Sequence, residues 1–222
     1  MKKILIVATH PDDETLGCSG AIQWHKKNGD EVYWVIATEM KKSEGWSNQK
    51  ISNRKIEIDS VANEYNFNKI FNFHLPTTKL ETLPYSEIIE NIVQVYKEIS
   101  PDIIYVPYSS DVHTDHQIIA KAFQSTFKSF RYSHVQKILV YETLSETEVN
   151  FSEEKKFNPN YFINISNYID EKIRIMSIYK SEFGEHPFPR SEKTIRALAS
   201  LRGSQSGFEA AEAFMLIYQK VE

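Results

Sequence analysis

The sequence contains one cysteine, Cys18. A single thiol cannot build an intrachain disulfide framework or supply a Cys-rich zinc finger. Positive charge is not in surplus either: 26 Lys and Arg stand against 30 Asp and Glu, for a net charge of −4. That balance excludes a protein held to nucleic acid by a basic surface. It leaves room for a local basic pocket. No apolar run approaches the ~20 residues that span a bilayer. The start, Met1-Lys2-Lys3 and then Ile4-Leu5-Ile6-Val7-Ala8, imitates a signal peptide, but polar residues interrupt it at Thr9-His10. That is too early for an apolar signal core, and no small-residue cleavage site follows. A buried first strand and a cytoplasmic location are expected. The chain shows no linker, internal repeat or low-complexity segment, so residues 1–222 read as a single domain.

What is present is ordinary globular composition, 41% apolar and 25% charged. Residues 4–8 form a continuous β-branched and apolar run, which suits a strand covered on both faces. Further strands are expected at 31–38, 69–75, 102–107 and 137–142. Helices are expected at 16–28, 50–65, 85–99 and 116–127, from apolar residues at helical spacing. Strand and helix alternate at short intervals, which gives an α/β fold with right-handed crossovers. Beyond residue 143 the pattern loosens. A polar stretch covers 145–156, a strand 161–165 and a helix 168–179. A Pro-rich turn, His186-Pro187-Phe188-Pro189, precedes a helix at 192–201. Residues 210–218 fit helix and strand equally.

Ligands of such sheets bind beyond the carboxyl ends of the strands. Two expected strand ends are rich in ionisable groups: Thr9-His10-Pro11-Asp12-Asp13-Glu14, and Asp111-Val112-His113-Thr114-Asp115-His116. In a parallel sheet both emerge on one edge. Imidazole and carboxylate together suit zinc, whose catalytic sites keep three protein ligands and one open position. His10 and Asp13 can approach one ion, and the second cluster offers His113 and His116 as the third ligand. Asp12 is then free to serve as a base. A helix N-cap would explain paired aspartates after a strand. It explains neither His10 nor the second cluster. A dinucleotide site needs a Gly-rich turn after the first strand, and this chain has carboxylates there.

Ala8-Thr9-His10-Pro11-Asp12-Asp13-Glu14, followed by Leu16-Gly17, resembles the signature of the LmbE/PIG-L zinc-dependent deacetylases. His113-Thr114-Asp115-His116 resembles their second motif, His-x-Asp-His. Arg54 with Glu57, and Arg202-Gly203, Gly207 and Ala211-Glu212-Ala213-Phe214, resemble further family patterns. The resemblance implies a Rossmann-like three-layer sandwich with a mostly parallel sheet. It implies a hydrolase that removes an N-acetyl group from a small amino sugar or glycoconjugate. His10, Asp13 and His116 would ligate Zn²⁺ or another divalent transition metal, and Asp12 would be the general base. His113, oriented by Asp115, would stabilise the oxyanion and protonate the leaving amine. Arg54 would contact substrate. The sequence departs from better-known members at Thr77 and at Asp111-Val112, both outside the ligand set. The alternatives are an amidase acting on a thiol–sugar conjugate or other N-acyl group, and a non-catalytic sugar-binding module that retains the metal. A homo-oligomer is compatible with all three.

Other residues read as bystanders. Cys18, Trp24 and Trp34 are expected in the core. His25, His74, His134 and His186 are expected at the surface or internally satisfied. Glu14 is expected to face solvent or cap the helix. Trp46, in a polar loop on the active edge, fits a sugar-stacking platform and a plain surface aromatic equally.

Overall fold

The computed structural model describes residues 1–149 and 155–221. Part of the expected polar stretch, residues 150–154, lies outside the described residues. The strands are β1 (Lys3–Ala8), β2 (Glu31–Glu39), β3 (Lys69–Pro76), β4 (Ile103–Pro107), β5 (Lys137–Tyr141), β6 (Tyr161–Asn164) and β7 (Ala211–Gln219). The helices are α1 (Asp13–Lys27), α2 (Asn48–Tyr65), α3 (Tyr85–Ile99), α4 (Thr114–Thr126), α5 (Ile169–Met176) and α6 (Glu192–Ser206). Among the described residues the strands form one sheet in the order β3-β2-β1-β4-β5-β7-β6. The first five are parallel neighbours, and β7 runs antiparallel to both β5 and β6. The fold is therefore an α/β sandwich on a mostly parallel sheet, as expected.

The central strands show why. Ile4, Ile6 and Ala8 of β1 enter a core shared with α1, α2, α5 and α6. Leu5 and Val7 enter the opposite core, with α3 and α4. A strand apolar on both faces belongs in the middle layer of three. Burying each Ile, Leu or Val of β1 is worth about 1.5–3 kcal/mol, so the strand that carries the first motif is firmly anchored. Gly17 matters here because α1 lies against the ring of Tyr141. A Cβ at position 17 would sit 2.3 Å from Tyr141 Cδ2, and the Tyr141 hydroxyl donates to the Val7 carbonyl at 2.7 Å.

Several expectations shift. Helix α1 begins at Asp13, so the motif's last residues are helical. Helix α6 runs on to Ser206 and stops at Gly207, whose φ of 78° makes the left-handed cap. Residues 211–219 are a strand. Trp34 is fully buried, but Trp24 is 41% exposed on the outer face of α1. No helix among the described residues is long and apolar enough to cross a membrane. The sheet order places β2 on one side of β1 and β4 on the other. The crevice between the C-terminal ends of β1 and β4 is the switch point where such sheets bind ligands.

Candidate metal centre and active-site cleft

Both motifs converge at that crevice. Residues 9–13 leave β1, and residues 108–116 leave β4 and open α4. His10 Nδ1 lies 3.2 Å from His116 Nε2. Asp13 Oδ2 lies 3.3 Å from His116 Nε2 and 3.8 Å from His10 Nδ1. Donors on a tetrahedral zinc at ~2.0–2.2 Å stand roughly 3.3–3.6 Å apart. The three separations, 3.2, 3.3 and 3.8 Å, bracket that range, and the donor set of two imidazoles and a carboxylate suits zinc. His10, Asp13 and His116 form a group that could hold a metal ion.

Neighbours fix how these side chains point. Asp111 Oδ2 lies 2.9 Å from His116 Nδ1, which keeps that nitrogen protonated and leaves Nε2 as the donor atom. Burial alone would lower the His116 pKa. Asp13 and Asp111 outweigh it and raise it to about 10. Asp13 moves the other way: although buried, it is held well below the usual carboxylate range by His116 and His10. Asp111→Asn removes the charge behind His116 while keeping the size. It is expected to weaken metal affinity about tenfold, read by titrating zinc into chelated protein. Unchanged affinity would deny Asp111 that role.

A second group, His10, His113 and Asp115, also lies within ligand reach, but its atoms are engaged elsewhere. The Asp115 carboxylate accepts the backbone N–H groups of Thr78 at 2.7 Å and Leu80 at 3.3 Å, and its Oδ2 lies 3.1 Å from His10 Nε2. His113 Nδ1 accepts the backbone N–H of Asp115 at 3.1 Å, which also caps α4. Asp115 thus holds His113 through its backbone N–H and not through its carboxylate. The carboxylate orients His10, and the main chain orients His113. Burial, then the neighbouring His10 and His116, lower the His113 pKa to about 4. His113 is a neutral imidazole with its proton on Nε2, and it lines the cleft.

Asp12 stands beside the triad with φ of 131°. A non-glycine residue there costs of order 1–3 kcal/mol and persists only when its surroundings hold it. Its N–H donates to Glu14 Oε2 at 3.0 Å, and Arg190 Nη1 donates to its Oδ2 at 2.6 Å. Burial raises its pKa well above its ordinary value, and Arg190 opposes that rise. Of the two expectations for Glu14, solvent exposure fails, while its carboxylate does accept the N–H of Asp12, the N-cap of α1. Glu14 is fully buried, accepts from the Tyr179 hydroxyl at 2.9 Å, and is pushed up by burial to about 7.

The cleft has a volume of about 490 Å³ and is lined by His10, Asp12, Thr77, Trp46, Arg54 and Arg190, among others. Arg54 touches its wall, yet its donors are turned to the protein. Nη1 donates to the Pro11 carbonyl at 2.8 Å, and Nη2 donates to Ser181 and Glu182. Trp46 is on the cleft wall, with Lys50 Nζ 5.4 Å from its ring centroid. Sequence reasoning missed Asp111, Glu182 and Arg190. Asp111 carried a local signal, a carboxylate five residues before a ligand histidine. Arg190, 178 residues from Asp12, carried none.

Fold and site together define an α/β protein with a His/Asp group at its switch point that could hold a metal ion. The chain belongs to the PIG-L family: the profile described as GlcNAc-PI de-N-acetylase matches residues 5–127, which span both motifs. It is 27% identical to diacetylchitobiose deacetylase of Thermococcus kodakarensis, over 98% of this chain and 84% of the relative. The structure of N,N'-diacetylchitobiose deacetylase from Pyrococcus horikoshii is similar, with a TM-score of 0.75 and 21% identity over 97% of this chain and 84% of that one. GalB of Pseudomonas putida KT2440, a 4-carboxy-2-hydroxymuconate hydratase, also has a TM-score of 0.75, with 15% identity over 100% and 98% of the two chains. One fold thus carries different activities, and the site must decide between them.

Proposed function

We propose that the chain, folded as one domain over residues 1–222, is a zinc-dependent hydrolase that removes the N-acetyl group of an amino sugar or small glycoconjugate. The observation that carries this reading is the tetrahedral-sized triangle of His10 Nδ1, Asp13 Oδ2 and His116 Nε2, with the Asp12 carboxylate beside it. A purely structural metal site has no use for a base held at a strained φ.

A divalent ion bound there would polarise the amide carbonyl and acidify water. The chain's own residues do the rest. Asp12 accepts the proton of the attacking water and passes it to the amide nitrogen as the C–N bond breaks, so the sugar leaves as a free amine and the acyl group as acetate. His113 Nε2–H donates a hydrogen bond to the carbonyl oxygen as negative charge develops there; in other enzymes one such donor is worth about 2.7–4 kcal/mol. The cleft places Trp46 and Thr77 on its wall, one to face a sugar ring and the other a hydroxyl group. The diacetylchitobiose deacetylases named above make that disaccharide the first substrate to test.

Zinc-loaded protein is expected to release acetate from diacetylchitobiose or N-acetylglucosamine derivatives. Chelation should abolish turnover, and zinc should restore it. Full activity after exhaustive chelation would overturn the metal's role. Release of a larger acyl group, or cleavage of a thiol–sugar amide without acetate release, would redirect the assignment within amide hydrolysis. No turnover of any acyl substrate by the zinc-loaded protein would overturn the enzymatic reading.

A further inference from the structure

Three distant segments meet at the Pro11–Asp12 peptide. Arg54 comes from α2, Glu182 from the turn after α5, and Arg190 from the segment just before α6. Arg54 Nη1 holds the Pro11 carbonyl at 2.8 Å, and Arg190 Nη1 holds Asp12 Oδ2 at 2.6 Å. Glu182 stands between the two cations. Its Oε1 accepts from Arg54 Nη2, and its Oε2 accepts from Arg190 Nη1 at 3.1 Å. Ser181 Oγ steadies the same carboxylate at 2.9 Å.

The accounting of donors decides what these arginines do. Arg54 spends Nε on Glu57, Nη1 on Pro11, and Nη2 on Ser181 and Glu182. Arg190 spends Nε on Ser145, Nη1 on Asp12 and Glu182, and Nη2 on Glu146. Each guanidinium thus turns four of its five N–H groups to the protein, which makes it chiefly a clamp on the protein itself. Asp12 needs one, because φ of 131° is held only by its surroundings. The two side chains are 9% and 13% exposed. Cations so little hydrated stay close together only with an anion between them.

We propose that Glu182 is a positioning residue: by bridging Arg54 and Arg190, it fixes the Pro11–Asp12 peptide and the Asp12 carboxylate in the geometry from which that carboxylate reaches the attacking water. This rests on the reading of Asp12 as the base. It also moves Arg54 from substrate contact to the support of that base.

The test uses the full zinc-loaded chain and the best acetylated substrate of the wild type. Glu182 is partly exposed, and Glu182→Gln keeps its size, so the fold should survive. Glu182→Gln is expected to lower kcat by about 10–100-fold, the scale of a small misplacement of a catalytic group. KM should change less than about threefold, and zinc content should not change. A merely structural role would lower Tm and leave kcat per folded, metal-loaded molecule intact. Because Glu182 acts through Asp12, adding Glu182→Gln to Asp12→Asn should slow turnover no further. The proposal is overturned by an unchanged kcat, by a rise in KM alone, or by an equal further loss on the Asp12→Asn background. Where Asp12→Asn is too slow to measure, a crystal structure of Glu182→Gln decides: Asp12 is displaced if the proposal holds, and unmoved if it does not. An inactive wild type would count against the deacetylase reading, while the crystal structure would still judge the clamp.

Discussion

Replacing His116 with alanine is expected to strip the metal and abolish turnover. His116 is buried at the apex of the donor triangle, and the other two donors sit on the loop and first turn that leave β1. Two ligands from one short segment cannot make a three-ligand site. Alanine also leaves the buried Asp111 carboxylate without its imidazole, a loss of the kind that costs about 3–5 kcal/mol. His116→Gln is the companion variant, since it keeps much of the size and a donor for Asp111. Chelated wild type should gain thermal stability on adding zinc, by about 2.7 kcal/mol at a hundredfold excess over Kd. Neither variant should. Stoichiometric zinc in either folded variant would remove His116 from the ligand set.

The same residue sets a pH dependence. Without metal, the His116 pKa stands at about 10 against an ordinary 6.5. A raised folded-state pKa stabilises the fold fully below pH 6.5, and this contribution is lost as pH rises through about 10. A metal ion competes for the same nitrogen. Zinc binding at pH 7 should therefore release about one proton from His116, and affinity should rise about tenfold per pH unit below 10. Calorimetry in buffers of different ionisation heat reads that proton directly.

The meeting of the two clusters was legible where the signal is local and the fold repeats. His10, Asp12 and Asp13 share one strand end, and His113 and His116 another. A run of parallel strands brings both ends to one edge, so composition and order sufficed to bring the clusters together. What was not legible depends on distant chain or on which atom does the holding. Glu14 follows a helix-capping pattern, and only Tyr179, 165 residues away, shows that it is buried. Asp115 sits two residues from His113, which suggested a carboxylate–imidazole pair. In the structure the backbone N–H makes that contact, and the carboxylate turns to His10 and to the loop after β3. Residues 210–218 resisted assignment because Glu212, polar by type, is buried in β7 against Lys172 and the Gly20 and Ala21 N–H groups. That burial hides the alternation of a strand.

Asp12→Asn is expected to keep the metal and lose most of the activity. The change is nearly isosteric, and Asp12 belongs to none of the groups that could hold the ion. The proposed carboxylate ligand is its neighbour Asp13, so zinc content and the zinc-dependent rise in Tm should match wild type. Arg190 keeps Glu146 and Glu182 as anionic partners, so the variant leaves no unpaired cation and the cleft should hold its shape. What disappears is the ability to accept a proton, since an amide at this position is not a base at any working pH. General-base catalysis is worth about 10²–10⁴-fold, and kcat should fall by that amount with KM little changed. Asp13→Asn should behave in the opposite way, with weakened zinc binding and partial recovery of turnover at high zinc. The two aspartates are adjacent in sequence and identical in type, yet Asp12 is paired with Arg190 while Asp13 lies against His10 and His116. Equal metal loss in the two variants would show that the roles of base and ligand have been assigned to the wrong residues.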